Sequence, residues 1–434
     1  MILRRIGIAL LMVALQVSAA HAQISIRVEG DQVRRTPIAV VPFGWEGRTP
    51  EPPLDVSDVI RADLFASGRF DPIPESGMLQ KPTTRAEVDF DDWTILGVEA
   101  VVIGTVEQTG PDEFTILYRL IDPFRQQELD SFRLPATRSM LRRETHRIAD
   151  RIYEALTGIK GVFATRVAYV SAREVNGEEV YRLVVADYDG ENEYPMLEST
   201  DPLMSPAWSP DGRRIAYVSF EDDRSSIFVQ TLRTRNRIQV SSEPGINGAP
   251  SFSPDGRKLV ITLGGIDGNL DIYTLDLRTR ERRRLTTHRG IDTEGTWSPD
   301  GRYIYFTSDR SGGPQIYRIP AEGGEPERIT FEGSYNARPR ISPDGEILAL
   351  IHNDRGNFRI GMMDLDTRSL IVLSTGSQDE SPSFAPNSEI IIYATRFSGD
   401  GVLETVSVDG LIRSRRTSGT GDIREPVWGP FPRF

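Results

Sequence analysis

Past residue 161 the apolar residues fall in short, strand-length runs that keep returning. Val167–Ser171, Ile215–Ser219, Leu259–Leu263, Tyr303–Thr307, Ile347–Ile351 and Ile390–Thr395 resemble one another, and all but the first follow a Pro-Asp-Gly-type turn. That turn sits in a longer repeat. The copies are Pro206-Ala-Trp-Ser-Pro-Asp-Gly212, Pro250-Ser-Phe-Ser-Pro-Asp-Gly256, Gly295-Thr-Trp-Ser-Pro-Asp-Gly301 and Pro339-Arg-Ile-Ser-Pro-Asp-Gly345, with worn versions at 382–388 and 426–432. Their second prolines, at 210, 254, 299, 343, 386 and 430, keep a period of 43 to 45 residues. A strand-rich repeat of that length predicts a β-propeller with one four-stranded blade per copy. Within each copy Pro presets φ, Asp bonds back to its own backbone and Gly takes the left-handed position of a hairpin. The large residue ahead of the turn (Trp208, Phe252, Trp297, Ile341, Phe384, Trp428) falls where blades pack. The last copy has the turn position and no strand after it, whereas the first apolar run has no turn before it. The simplest ring therefore takes residues 426–429 as the innermost strand of the blade whose other strands lie at 167–198, giving six blades.

Upstream the period changes. Thr36–Phe43 reads as a buried strand, and residues 55–67 as a helix with Val56, Val59, Ile60, Asp63 and Leu64 on one face, capped by Asp55 and ended by Gly68. Phe70–Ile73 is a short strand and Asp91–Leu96 a short helix. Ala100–Val106, Phe114–Ile121 and Glu128–Leu134 read as further strands. A long helix from a Thr137 cap to Gly158 turns Leu141, Thr145, Ile148, Ile152, Tyr153 and Leu156 inward. Helices interleaved with strands make 36–158 an α/β domain ahead of a propeller at 159–434. Residues 23–35 form a short arm in which Ile24, Ile26 and Val28 alternate with Ser25, Arg27 and Glu29. The arm either adds to its own domain's sheet or pairs with another protein.

The N-terminal 22 residues have a basic start, an apolar centre and Ala20-His-Ala22, the pattern of a secretory signal cut before Gln23. The apolar run is too short to span a bilayer, so an exported chain with no membrane insertion is expected. The chain has no cysteine, which excludes disulfides and thiolate chemistry. Its formal charge of −12, or −14 without Arg4 and Arg5, argues against nucleic acid as a partner. No phosphate loop, nucleophile elbow or zinc-binding helix is present. His146, His288 and His352 stand at unrelated places and read as surface or turn residues, and Asp267-Gly-Asn-Leu-Asp271 reads as a hairpin rather than a calcium loop. No cofactor or metal is expected.

The segments that lead into the innermost strands invite a functional reading, because they open at one end of the central channel. They are Leu203-Met204-Ser205, Ile246-Asn247-Gly248-Ala249, Ile291-Asp292-Thr293-Glu294, Tyr335-Asn336-Ala337-Arg338, Gln378-Asp379-Glu380 and Ile423-Arg424-Glu425. Read as loops, they form either a solvated rim or a surface that receives a ligand or a partner's projecting loop.

The whole chain resembles the TolB family of the Tol-Pal system. The likeness is carried by Pro37-Ile-Ala-Val-Val-Pro-Phe43, Trp93-Thr-Ile-Leu-Gly-Val-Glu-Ala-Val-Val-Ile-Gly-Thr-Val106, Leu156-Thr-Gly-Ile-Lys-Gly-Val-Phe163, Pro202–Gly212 and Asn247-Gly-Ala-Pro250. The resemblance implies a monomeric, non-enzymatic periplasmic protein that serves envelope integrity and cell division. It would bind the lipoprotein Pal on the channel face and TolA of the inner membrane through its N-terminal arm. By position it makes Met204, Asn247, Gly248, Ala249, Asp292, Thr293, Glu294, Asn336, Ala337, Arg338, Asp379 and Glu380 the candidate Pal surface. Ile24, Ser25, Ile26, Arg27, Val28 and Glu29 become the candidate TolA strand. The chain departs from the family pattern at Ile246, where a polar residue is expected, and at Gly295, where Pro is. The competing classes are an exported lyase or hydrolase and a ligand-binding sensor, each using the channel as its pocket.

Overall fold

The computed structural model describes residues 35–265, 268–416 and 421–433, without the side chain of Arg416. The arm, with Ile24 to Glu29, and the Ala22–Gln23 site lie outside the described residues. The first domain is a six-stranded sheet of β1 (Thr36–Val40), β2 (Gly44–Glu46), β3 (Phe70–Pro72), β4 (Ala100–Gln108), β5 (Glu113–Asp122) and β6 (Gln127–Thr137). The order is β3-β1-β4-β5-β6, with β1 parallel to β3 and β4, and β4, β5 and β6 antiparallel. Strand β2, which the apolar pattern does not reveal, pairs with the far half of β4 through Gly44 and Thr105. Helix α1 (Val56–Ala66) starts where the Asp55 carboxylate accepts the Asp58 N–H at 3.0 Å, and α2 covers Phe90–Ile95. Thr137 leads into a short 3-10 turn, so α3 begins later than its expected cap and runs Leu141–Thr157 to a left-handed Gly158.

Six four-stranded antiparallel sheets follow. Blade 1 takes its innermost strand, Asp422–Trp428, from the far end of the chain and pairs it with Arg166–Val175. The innermost strands of blades 2 to 6 are Leu203–Trp208, Asn247–Phe252, Asp292–Trp297, Asn336–Ile341 and Glu380–Phe384. In the repeat turns the serine has a role that the turn pattern alone does not give. Ser209 Oγ donates to Asp211 at 2.5 Å and accepts the Arg214 N–H at 2.9 Å, tying turn to strand. The same bonds recur at Ser253, Ser298 and Ser342. The serine hydroxyls hold the Asp255 and Asp300 carboxyls below the usual range.

Each neighbouring pair of blades shares an apolar cluster, such as Ala216, Val218, Phe252 and Leu259 between blades 2 and 3. The cluster between blades 6 and 1 differs. Ile392, Leu403, Val167, Tyr169 and Trp428 run without a break into Ile60, Leu64, Ile148 and Ile152 of the α/β domain. The domain therefore sits beneath the blade that closes the ring, on the face of the repeat turns. Trp428 Nε1 donates to Thr165 Oγ1 at 2.8 Å, and the Lys160 ammonium lies 3.9 Å from the Phe431 ring centre.

Candidate functional site

Every innermost strand carries a bulge at the same step, where its register against the second strand shifts. The bulge residue is left-handed each time: Ser205 (φ 53°), Ala249 (46°), Glu294 (57°), Arg338 (57°), Ser381 (56°) and Glu425 (52°). None is glycine, so each bears strain on the order of 1–3 kcal/mol that the blade must hold in place. The bulge re-aims these side chains toward the channel. Arg338 reaches Glu425 at 3.1 Å and Glu294 at 3.8 Å, and donates to Ser381 Oγ at 2.6 Å. Glu425 also accepts the Ser205 N–H, and Glu294 accepts from Thr307 at 3.0 Å. Five of the six bulge residues are thus joined in one network, and Ala249, the only apolar one of the six, stands outside it. Below it a cavity of about 180 Å³ is lined by Pro206, Pro250, Gly295, Arg340 and Pro426 among others. Against the burial that would lower it, Glu425 and Glu294 raise the Arg338 guanidinium, while burial and Arg338 press Arg340 down to about 10.

Most residues of the segments expected as loops therefore open the innermost strands, because the bulge lets pairing begin before the repeat's Pro, while Ile246, Ile291, Tyr335, Gln378 and Asp379 lie just ahead of them. This divides the twelve candidates. Asn247, Asp292, Asn336 and Asp379 occupy one equivalent step and are fully buried. They pin the blade's outer hairpins: Asn247 accepts from Ser241 at 2.6 Å, Asp292 pairs with Arg310 at 2.7 Å, Asn336 donates to Gln315 at 3.0 Å, and Asp379 accepts from Thr395 at 2.5 Å. Ala337 is buried too, whereas Met204, Gly248, Ala249, Thr293, Glu294, Arg338 and Glu380 are half-buried. Around them stand exposed apolar residues that the reading of the segments as small and polar misses. Ile246, Ile291 and Phe331 lie on loops into innermost strands, and Phe358 and Phe397 on the hairpins of the same face. A groove of about 420 Å³ leads off the mouth across blades 5, 6 and 1, walled by Tyr335 and Phe358, whose rings meet edge-on at 5.1 Å.

Two histidines are also corrected. His352 is buried and bonded to Asn336 at 2.8 Å. His146 is 1% exposed and lies at the domain junction. Its Nδ1 is 2.7 Å from Asp63 of α1, and its Nε2 is 3.5 Å from Asp189 of blade 1. The Tyr188 hydroxyl donates to Asp63 at 2.7 Å and Arg142 pairs with Asp189. The helical period put Asp63 on the buried face of α1, but nothing in the chain's local pattern couples it to a histidine 83 residues on. The three acid and imidazole groups come close enough to hold a metal ion. Asp63 and Asp189 are held by Tyr188 and Arg142, while His146 Nε2 makes no hydrogen bond among the described residues.

The architecture of α/β domain, ring and closing strand is matched by known proteins. The description "TolB amino-terminal domain" fits residues 24–129, and "TolB beta propeller domain" fits residues 153–432. The chain belongs to the TolB family. It is 45% identical over 427 residues to the Tol-Pal system protein TolB of Xanthomonas oryzae pv. oryzae, covering 98% of this chain and 97% of that one. The crystal structure of TolB from Acinetobacter baumannii superposes with a TM-score of 0.86 at 40% identity, over 94% of this chain and all of that one. Hydrazine synthase of Kuenenia stuttgartiensis, at 11% identity and a TM-score of 0.50 over 64% of this chain and 48% of that one, shares the propeller fold alone. No helix among the described residues is long and apolar enough to cross a membrane.

Proposed function

We propose that this chain is a non-catalytic periplasmic coupling protein of a Tol-Pal system, acting as a monomer. The channel mouth docks Pal, and residues 23–34 engage TolA by strand pairing. The observation that carries the reading is a channel spanned at the bulge step by paired side chains of three blades. Arg338, Glu294 and Glu425 already satisfy one another, leaving a shallow cup rimmed by exposed Ile246 and Ile291. A cup with an apolar rim and a charged floor suits a projecting loop of a partner. A lyase, hydrolase or sensor reading would need free catalytic or ligand-holding groups converging there, whereas Arg338, Glu294 and Glu425 are engaged with one another.

Calorimetric titration with purified Pal tests the docking site. Ala249→Arg and Thr293→Arg each put a bulky cation at the cup and should weaken Pal by about tenfold or more. Both sites are half-buried, so thermal stability should shift by only about 1 kcal/mol. Unchanged Pal affinity in both variants would place the site elsewhere. Removing residues 23–34 should abolish TolA binding and leave Pal binding intact.

A further inference from the structure

On the face opposite the channel mouth, the α/β domain and blades 1 and 2 enclose a cleft of about 940 Å³. Arg143 of α3, Arg166 of blade 1, and Arg213 and Arg233 from two turns of blade 2 line it. A second cavity of about 180 Å³ shares Arg143, Arg166 and Arg213 and adds Arg433. The cations therefore run from Arg433 at one end, through three shared side chains, to Arg233 at the other.

Two carboxylates, Asp187 and Asp211, line these cavities among the described residues, and both are engaged. Asn192 donates to Asp187 at 2.7 Å, and Asp211 accepts from Ser209 and from the Arg213 backbone at 3.1 Å. Arg166, Arg213, Arg233 and Arg433 form no salt bridge among the described residues, in a chain whose net charge is −12. Burial and the facing Arg166 charge lower the half-buried Arg143 guanidinium, so the cleft holds like charges at close quarters. Its floor is apolar, built of Val185, Ala186, Met196 and Leu232, beside the half-exposed Tyr194 ring.

We propose that this cleft is a binding site for an extended acidic segment of a partner protein. Guanidinium forks pair with carboxylates in bidentate fashion. Cations strung along a cleft match carboxylates spaced along a chain better than one phosphate, and the apolar floor takes the segment's hydrophobic side chains. The site is distinct from the channel cup, and it stands whether or not Pal docks at the mouth.

The test uses the full-length protein and a fluorescent deca-glutamate peptide, followed by anisotropy at low salt. The peptide should bind, the deca-glutamine analogue should not, and added salt should weaken the complex. Arg213→Glu/Arg233→Glu should reduce affinity by about tenfold or more. Arg257→Glu/Arg302→Glu makes the same charge change on exposed turns of blades 3 and 4 and should leave affinity within about twofold. All four arginines are exposed, and matching thermal melts will show that the variants fold. Equal loss in both double variants, or no deca-glutamate binding, overturns the proposal. So does tighter binding to tripolyphosphate or to vesicles of anionic lipid, which would make the cleft a phosphate site.

Discussion

The network on the channel floor and the one at the domain junction hold similar groups but are built in opposite ways. On the floor, Arg338, Glu294 and Glu425 come from equivalent steps of three repeats, each turned inward by the same left-handed bulge. At the junction, Asp63, His146 and Asp189 come from α1, α3 and blade 1, with no step in common. The floor is one backbone device used six times with varied side chains. The junction is a single meeting of unlike surfaces. A repeat can therefore vary a partner surface without touching its frame, whereas a change at the junction alters the seating of one domain on the other.

The two networks also differ in titration. The Arg338 guanidinium, raised by its glutamates, keeps its charge at every neutral pH. At the junction, Asp63 and Asp189 outweigh the burial of His146 and raise its pKa, and burial lifts nearby Asp150 to about 7 although it accepts the Phe163 and Ala164 N–H groups. Both groups hold their protons more firmly folded than unfolded, so both contribute stability that fades as pH rises. For Asp150 the loss runs from about pH 4 to 7, and for His146 from about 6.5 upward through its raised value.

The largest expected effect strikes both regions at once. Deleting residues 422–433 removes Glu425 from the floor and Trp428 from the core that joins blade 1 to the α/β domain. Loss of the buried tryptophan alone is worth on the order of 3–5 kcal/mol, before the unpaired edge of Arg166–Val175 is counted. Circular dichroism should show a much lower or absent cooperative melt, and a melt like that of the intact protein would refute the closure. Arg338→Ala separates the regions by leaving two glutamates unpaired on the floor, at a cost of about 3 kcal/mol in urea unfolding. Its loss should stay nearly constant between pH 6 and 9, and a loss that vanished at high pH would mean that the floor titrates. His146→Gln is the smallest change, about 1–3 kcal/mol at pH 6. Its cost should shrink toward pH 9, because the native protein surrenders the His146 contribution there. A constant cost across that range would show that the imidazole is not charged in the junction.

Much of the frame was legible because it repeats. Six prolines in phase announce six blades, and Trp428, with no strand after it, announces the closure. The bulges were hidden because Ser205, Ala249, Glu294, Arg338, Ser381 and Glu425 share no side-chain chemistry and none is the glycine that a left-handed step favours. Without that cue the opening residues of the strands read as loops. Asn247 and Asp292 then read as rim groups, although they are pins inside the blade. His146 was misread for another reason. Its partners lie far off in sequence, and a lone imidazole on a helix gives no sign of a carboxylate brought by another domain.

The closing strand also decides when the ring can form. Trp428 bonds Thr165 across 263 positions, so the partner edge of blade 1 is made early and waits for almost the whole propeller to follow. Pairings this remote are slow, since the loop must be ordered before any contact rewards it. Until then Arg166–Val175 is an unpaired strand that a second chain could occupy instead. As the chain emerges, the ring must pass through an open state whose lifetime is set by arrival of the last strand. Refolding yield should then fall with protein concentration more steeply than for a propeller closed within one hairpin.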